Sequence, residues 1–115
     1  MSLPSSGKMS HFDTGAVRDA MQNKGLPSQM PMSALRAAAR RFEDGAEKYG
    51  KDNWKKGIPL SRYIDSIYRH LWDFMDGDQE EDHLAAVIWN AMCLYETKDR
   101  IDEEVLPDSL DDIGI

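Results

Sequence analysis

The run Glu80-Glu81-Asp82-His83-Leu84-Ala85-Ala86-Val87-Ile88-Trp89-Asn90 decides how this chain folds. The stretch from Leu84 to Tyr95 is the most apolar in the sequence, and three consecutive acids open the run that enters it. His83 and Asn90 stand seven positions apart, and a helix returns positions seven apart to nearly the same face. Two polar groups therefore share one stripe of a segment otherwise built for burial. Buried polar groups cost free energy unless they are paired, so this stripe points to a hydrophilic cavity inside a helical bundle.

Working outward, Asp78 with Glu81 three residues on has the form of a capping box, which predicts a helix over about 79–100. That helix is apolar nearly all round, which places it centrally and gives it room to meet another subunit. Before it, Leu60, Ile64, Ile67, Leu71, Phe74 and Met75 define the core face of a helix over about 60–77, capped by Ser61 and stopped by Gly77. Earlier still, Leu35, Ala38, Ala39, Phe42, Ala46 and Tyr49 recur at three and four spacing between Ser33 as N-cap and Gly50 as stop. This gives a helix over about 33–50. Pro4, Gly7, Gly15, Gly25, Pro27 and Pro31 punctuate residues 1–32 too often for a long helix, although Ala16 to Asn23 could form about two turns. The expectation is an all-α fold: a small bundle of three main helices behind an irregular N-terminal leader. Residues 1–10 form a flexible leader, 11–101 a single helical domain and 102–115 an acidic tail.

The chain has 115 residues, enough for one core, and its three Trp, four Tyr, three Phe and seven Met supply the bulky material to fill it. Cys93 is the single cysteine, lies in the apolar run and reads as a reduced, buried thiol. The N-terminus has no apolar signal-peptide core, and no stretch of about 18 apolar residues exists, so a cytoplasmic protein without membrane insertion is expected. The net charge of −7 is unevenly spread. From Arg36 to Arg69 nine bases face five acids, a balance of +4; from Asp73 onward fourteen acids face Lys98 and Arg100, a balance of −12. A competing acidic face argues against general nucleic-acid binding. It fits a small anion held by cations beside a metal-binding acidic patch. The last segment, Asp102 to Asp112, carries six acids and no base and reads as a solvating tail.

Glu43 and Glu47, four apart on the first helix, can aim both carboxylates at one place, which suits a hard divalent cation. Exposed Glu pairs are commonplace on helices, and the second acidic group, Glu80, Glu81 and Asp82 beside His83, is what strengthens the case. That triple run is equally well explained as favourable charge at a helix N-terminus. Lys48, Lys51, Asn53 and Trp54 follow the Glu pair: the cations can neutralise phosphate, Asn53 can hydrogen-bond a base or sugar, and Trp54 can stack or simply anchor the core. Arg69 lies almost opposite the apolar stripe of its helix, with Asp65 and Asp73 four residues away on either side as ion-pair partners. His70 flanks that stripe with Tyr63 and reads equally as structural or functional.

Asp13-Thr14-Gly15-Ala16-Val17-Arg18-Asp19, Phe42-Glu43-Asp44-Gly45-Ala46-Glu47-Lys48-Tyr49-Gly50, Asn53-Trp54, Gly57-Ile58-Pro59-Leu60-Ser61-Arg62, Arg69-His70, Gly77-Asp78 and Glu81-Asp82-His83-Leu84-Ala85-Ala86 with Asn90 follow one another in order over roughly residues 11–100. Together they resemble the phage and bacterial family of dATP/dGTP diphosphohydrolase N-terminal domains. The resemblance implies kinship with MazG-like all-α pyrophosphohydrolases, which cleave an NTP or dNTP to the monophosphate and pyrophosphate using Mg²⁺ or Mn²⁺ held by helix carboxylates. The MazG-like ligand pattern, Glu-x-x-Glu on one helix and Glu-x-x-Asp on the next, is not reproduced. Asp65, Arg69, His70 and Asp73 stand where the first pair belongs, and Glu80-x-x-His83 is the nearest match to the second. Either the metal site is rebuilt with Glu43, His70, Asp82 and His83, or the fold persists with altered chemistry.

On the hydrolase reading, Glu43, Glu47, Asp82 and His83 hold Mg²⁺ or Mn²⁺, the base comes from the same acids with His70 beside them, and Lys48 and Arg69 offset charge on the leaving pyrophosphate. Asn53, Trp54 and Asn90 recognise the nucleotide, Asn90 being equally explicable as a satisfied core amide. The rival reading is a non-catalytic phage accessory oligomer that docks on a host protein through its acidic tail. A histidine-aspartate metal phosphohydrolase fits poorly, because the order here is Asp82-His83 and the remaining histidine, His11, lies near the start. Tyr68 and Trp72 on the second helix, with Trp89 and Met92 on the third, leave more apolar surface than three helices cover. A homodimer or homotetramer is therefore expected.

Overall fold

Three stretches with apolar residues at three and four spacing fold as helices in the computed structural model, which describes residues 7–115. They are α1 (Met32–Tyr49), α2 (Leu60–Met75) and α3 (His83–Asp102). The protein is all-α apart from a small hairpin, and α3 is its central element, packing against α2 over the larger interface and against α1 over the smaller. The buried side of α3, including Ala86, Asn90, Cys93, Thr97 and Ile101, repeats at three and four spacing and meets Leu60 and Tyr63 of α2 and Ala38 of α1 as the core. Burying a leucine as completely as Leu60 contributes about 1.5–3 kcal/mol. Two of the positions expected on the α2 core face, Phe74 and Met75, lie exposed near its end, and Tyr63 is buried in their place.

The described residues fall into two units, divided between Met30 and Pro31. The first is a two-stranded antiparallel hairpin, β1 (Met9–His11) and β2 (Val17–Asp19), in the register Met9 to Asp19 and His11 to Val17, followed by a short 3-10 turn at Pro27–Gln29. This replaces the two helical turns expected over Ala16 to Asn23. Gly15 N–H donates to the Phe12 carbonyl at 2.9 Å and Phe12 N–H to the Ala16 carbonyl at 3.0 Å. Gly15 has φ +88°, which a side chain would oppose, so the glycine closes a three-residue loop and commits Val17 to a strand.

Each helix end has a chemical cause, and three differ from the sequence expectation. Pro31 and Pro59 occupy the N-cap positions of α1 and α2, so Ser33 and Ser61 fall inside their helices and cap nothing by side chain. Gly50 ends α1 as expected, at φ +96° with its N–H on the Ala46 carbonyl at 3.0 Å. α3 begins four residues later than the Asp78–Glu81 pair implied: Asp82 is the N-cap, its Oδ1 accepting from the Ala85 N–H at 3.0 Å.

The acidic C-terminal segment keeps most of its acids exposed but is anchored at its far end. Ser61 N–H donates to Asp112 Oδ1 at 2.9 Å, and the Ser61 hydroxyl donates to Asp112 Oδ2, so a carboxylate from the far end of the chain serves the first turn of α2. Leu106 and Leu110 sit against Gly57, where a Cβ would come within 2.7 Å of Leu110 Cδ1. Asp111 Oδ1 accepts from the Gly114 N–H at 3.0 Å and closes the last turn.

Candidate functional site

A cleft of about 630 Å³ opens among α1, the 50–58 connection, α2 and α3. Its wall is aromatic. Phe42 from α1 meets Trp54 at 6.1 Å between ring centroids and Trp89 from α3 at 5.8 Å, and Trp89 meets Tyr63 at 6.3 Å. Edge-to-face and tilted pairs at these separations are favourable for the ring quadrupoles. Trp89, expected on an uncovered side of α3, is thus part of this wall. The polar lining combines three cations, Lys51, Arg62 and Arg69, with two carboxylates, Glu43 and Asp52, and two amides, Asn53 and Asn90. Asp52 pairs with Lys55 at 3.0 Å.

Of the residues singled out in the sequence, Glu43, Lys51, Asn53, Trp54, Arg69 and Asn90 line this cleft. Asn90 is 4% exposed and its Nδ2 donates to the Ala86 carbonyl at 2.8 Å, which fixes the amide by a bond to its own helix. Glu47 and Lys48 are exposed and absent from the lining, and the Lys48 ammonium stands 5.1 Å from the Tyr49 ring centre. The ion-pair ladder expected around Arg69 is not formed among the described residues, since no salt bridge joins it to Asp65 or Asp73. Phe42, Tyr63 and Arg62 were missed as site residues, because periodicity assigned the first to the core and gave the others no distinguishing signal. The Tyr63 hydroxyl is pushed up to about 12 by burial, with the nearby Thr97 hydroxyl opposing the rise, and the two stand outside hydrogen-bond geometry.

A second set of groups gathers where α2 passes into α3, beside a pocket of about 450 Å³ lined by Phe74, Asp78, Gln79, Glu81, Asp82, His83 and Leu84. His70 Nδ1 and His83 Nδ1 lie 2.9 Å apart. Glu81 Oε1 is 3.4 Å from the first and 3.9 Å from the second, and it also accepts from Arg41 at 3.3 Å. On the other side of its ring, His83 Nε2–H donates to Asp78 Oδ2. The bond to Asp78, together with the carboxylate's charge and that of Glu81, holds the His83 imidazole above its ordinary pKa against the effect of burial. His70 is shifted the opposite way, chiefly by desolvation, although Glu81 opposes the fall.

The metal-ligand set expected from the sequence is therefore not the one the structure assembles. Among the described residues, the group of histidine, cysteine and acidic side chains that converges is His70, Glu81 and His83. Asp82 is engaged as the α3 cap. Glu43 and Glu47 do not join His83, and the α1 residue that reaches the α3 entrance is Arg41. Two residues along a helix is about 200° of rotation, so if Arg41 faces that entrance Glu43 faces away from it.

The family model for the N-terminal domain of dATP/dGTP diphosphohydrolases matches residues 14–105. The chain belongs to that family. No curated protein and no solved structure matches it. The match in this dATP/dGTP diphosphohydrolase domain takes in all three helices, every residue of the cleft lining and the whole His70–Glu81–His83 group. Among the described residues no helix is long and apolar enough to cross a membrane.

Proposed function

We propose that the cleft binds a purine deoxynucleoside triphosphate and that the protein hydrolyses it to the monophosphate and pyrophosphate. The observation that carries this reading is the lining itself: an aromatic wall, three cations and two amides around a volume that suits a nucleotide. The family description, dATP/dGTP diphosphohydrolase, names that substrate class. Trp54 and Trp89 offer the base a stacking face, Asn53 and Asn90 offer amide groups to the base or sugar, and Lys51, Arg62 and Arg69 answer the phosphate charge, with Lys48 just outside.

In the reaction, water adds at one phosphorus of the α–β anhydride, the bridging P–O bond breaks, and the proton of the water passes to a carboxylate. Glu43, exposed and in the lining, is that carboxylate. Glu43 and Asp52 present hard oxygen donors of the kind Mg²⁺ or Mn²⁺ requires, and such a cation would supply charge neutralisation and a more acidic water. Arg69 and Lys51 hold the leaving phosphate group while Phe42 and the indoles keep bulk water from the base. The same reading includes self-assembly into a homodimer or homotetramer through apolar surface left open on α2.

Purified protein incubated with Mg²⁺ or Mn²⁺ and dATP or dGTP is expected to release dNMP and pyrophosphate, resolved by anion-exchange chromatography. Glu43→Gln should lower kcat by about 10²–10⁴-fold, the usual worth of a general base. Wild-type protein inert toward all common ribo- and deoxynucleoside triphosphates would overturn the proposal.

A further inference from the structure

We propose that His70, Glu81 and His83 form a binding site for a transition-metal ion of the Zn²⁺ class, built into the joint between α2 and α3 and separate from the nucleotide cleft. The three ligand atoms, His70 Nδ1, His83 Nδ1 and Glu81 Oε1, form a triangle with sides 2.9, 3.4 and 3.9 Å. Those sides place one point about 2.0 Å from all three atoms, and Zn²⁺ binds imidazole nitrogen and carboxylate oxygen at about 2.0–2.2 Å. The site is thus already closed to the size of the ion, with no rearrangement of the backbone needed.

The surroundings are those of a prepared ligand set. Asp78 accepts from His83 Nε2–H, which fixes that ring and turns the Nδ1 lone pair toward the centre. His83 is 5% exposed, so its orientation is set by packing as well as by the carboxylate. Two Nδ1 atoms at 2.9 Å hold a single proton between them, and a cation at the centre would satisfy both lone pairs at once. Two imidazoles with one carboxylate suit a borderline ion that keeps an open coordination position, and suit Mg²⁺ poorly. The pocket beside Glu81 and His83 gives a water or anion access to that open position. Arg41 is the competing cation: it stands 3.3 Å from Glu81 Oε1, so the ion shares this carboxylate with a guanidinium.

The three ligands come from the body of α2, from the connection and from the first residue of α3. A bound ion therefore ties the α2–α3 joint together, and it stabilises the folded chain because the unfolded chain lacks the convergent geometry. This inference does not depend on nucleotide hydrolysis, and its readout does not use activity.

The test is titration of the full chain with Co²⁺, read by its visible d–d absorption, followed by displacement with Zn²⁺. One equivalent should bind per chain, Zn²⁺ should bleach the band, and Zn²⁺ should raise the thermal midpoint. His70→Ala and Glu81→Gln should abolish or strongly weaken the band, whereas Asp78→Asn should retain it with affinity reduced about 10–100-fold, as for an outer carboxylate. His11→Ala should leave the titration unchanged. Far-UV circular dichroism on each variant checks folding, and a Zn²⁺-dependent shift of the His70 and His83 ring resonances in the wild type supplies the same answer without any substitution. No uptake at one equivalent, or uptake that survives both His70→Ala and Glu81→Gln in folded protein, would overturn the site.

Discussion

Arg69 and His70 are adjacent in sequence, about 100° apart around α2, and that rotation sends them to different chemistry. Arg69 lines the aromatic cleft, and His70 turns to His83 and Glu81. The same partition operates among three neighbouring acids: Asp78 takes the His83 ring, Glu81 takes His70 and Arg41, and Asp82 takes the Ala85 N–H. Geometry therefore gives each carboxylate its own partners, although they stand within five positions of one another in the sequence. Arg69 pairs with no acid among the described residues, which leaves its guanidinium available to a ligand. Arg69→Gln should weaken dATP or dGTP binding by about 10–100-fold, the worth of one charge-assisted contact, and leave Co²⁺ uptake intact. Calorimetric titration with the nucleotide measures the first and absorption the second; an unchanged nucleotide affinity would remove Arg69 from phosphate recognition.

The elements are joined by contacts that sequence spacing does not encode, and the first turn of α2 is the plainest case. Ser61 N–H and its hydroxyl donate to Asp112, a partner 51 positions away. These bonds hold the Asp112 carboxyl below the ordinary value of 3.8. A group whose folded pKa is depressed stabilises the fold fully above the unfolded value, and the contribution disappears as pH falls through the folded value. Denaturant midpoints followed from about pH 6 downward should therefore show Asp112→Asn less stable than wild type near neutrality, with the difference shrinking below 3.8; parallel curves would show that Asp112 does not cap α2. The three helices were legible because Leu35, Ala38 and Phe42, or Ala86, Asn90 and Cys93, repeat at helical spacing whatever the tertiary context. Their ends were less so. A capping box is a local pattern, and Asp78 was drawn out of it by His83, which let Asp82 start α3 instead. The hairpin had its signal in Asp13-Thr14-Gly15, whose glycine closes the loop, but short strands carry too little periodicity to outweigh a possible helix turn. The cleft residues Glu43, Asn53, Trp54, Arg69 and Asn90 could be found from their chemistry. The convergent histidines could be named only in part, because spacing tells which residues share a face and not which face meets a neighbour, and Arg41 occupies the direction given to Glu43.

Within the helical unit, α3 is sandwiched by contacts to α1 and α2, while α2 retains an outer stripe that α1 and α3 leave exposed. Tyr68, Trp72 and Met75 recur at four and three spacing and are 55%, 59% and 72% exposed, with the Tyr68 and Trp72 rings 6.2 Å apart. Residues at that spacing form one continuous apolar ridge on a helix. A ridge of two large aromatics and a methionine is the composition enriched at protein interfaces, where aromatic side chains dominate the binding energy. Helices of a second copy present the same ridge, and a two-fold axis would pack the two against each other with every contact made twice. Light scattering at micromolar concentration should accordingly give the mass of a dimer or tetramer. Trp72→Lys should shift that mass toward the monomer, because it removes an interface anchor and places like charges opposite each other across the axis. The substitution lies on the exposed face, so helix content by circular dichroism should remain at the wild-type level. A wild-type protein that scatters as a monomer, or a Trp72→Lys variant that keeps the oligomeric mass, would show that this ridge is not the surface on which copies of the chain meet.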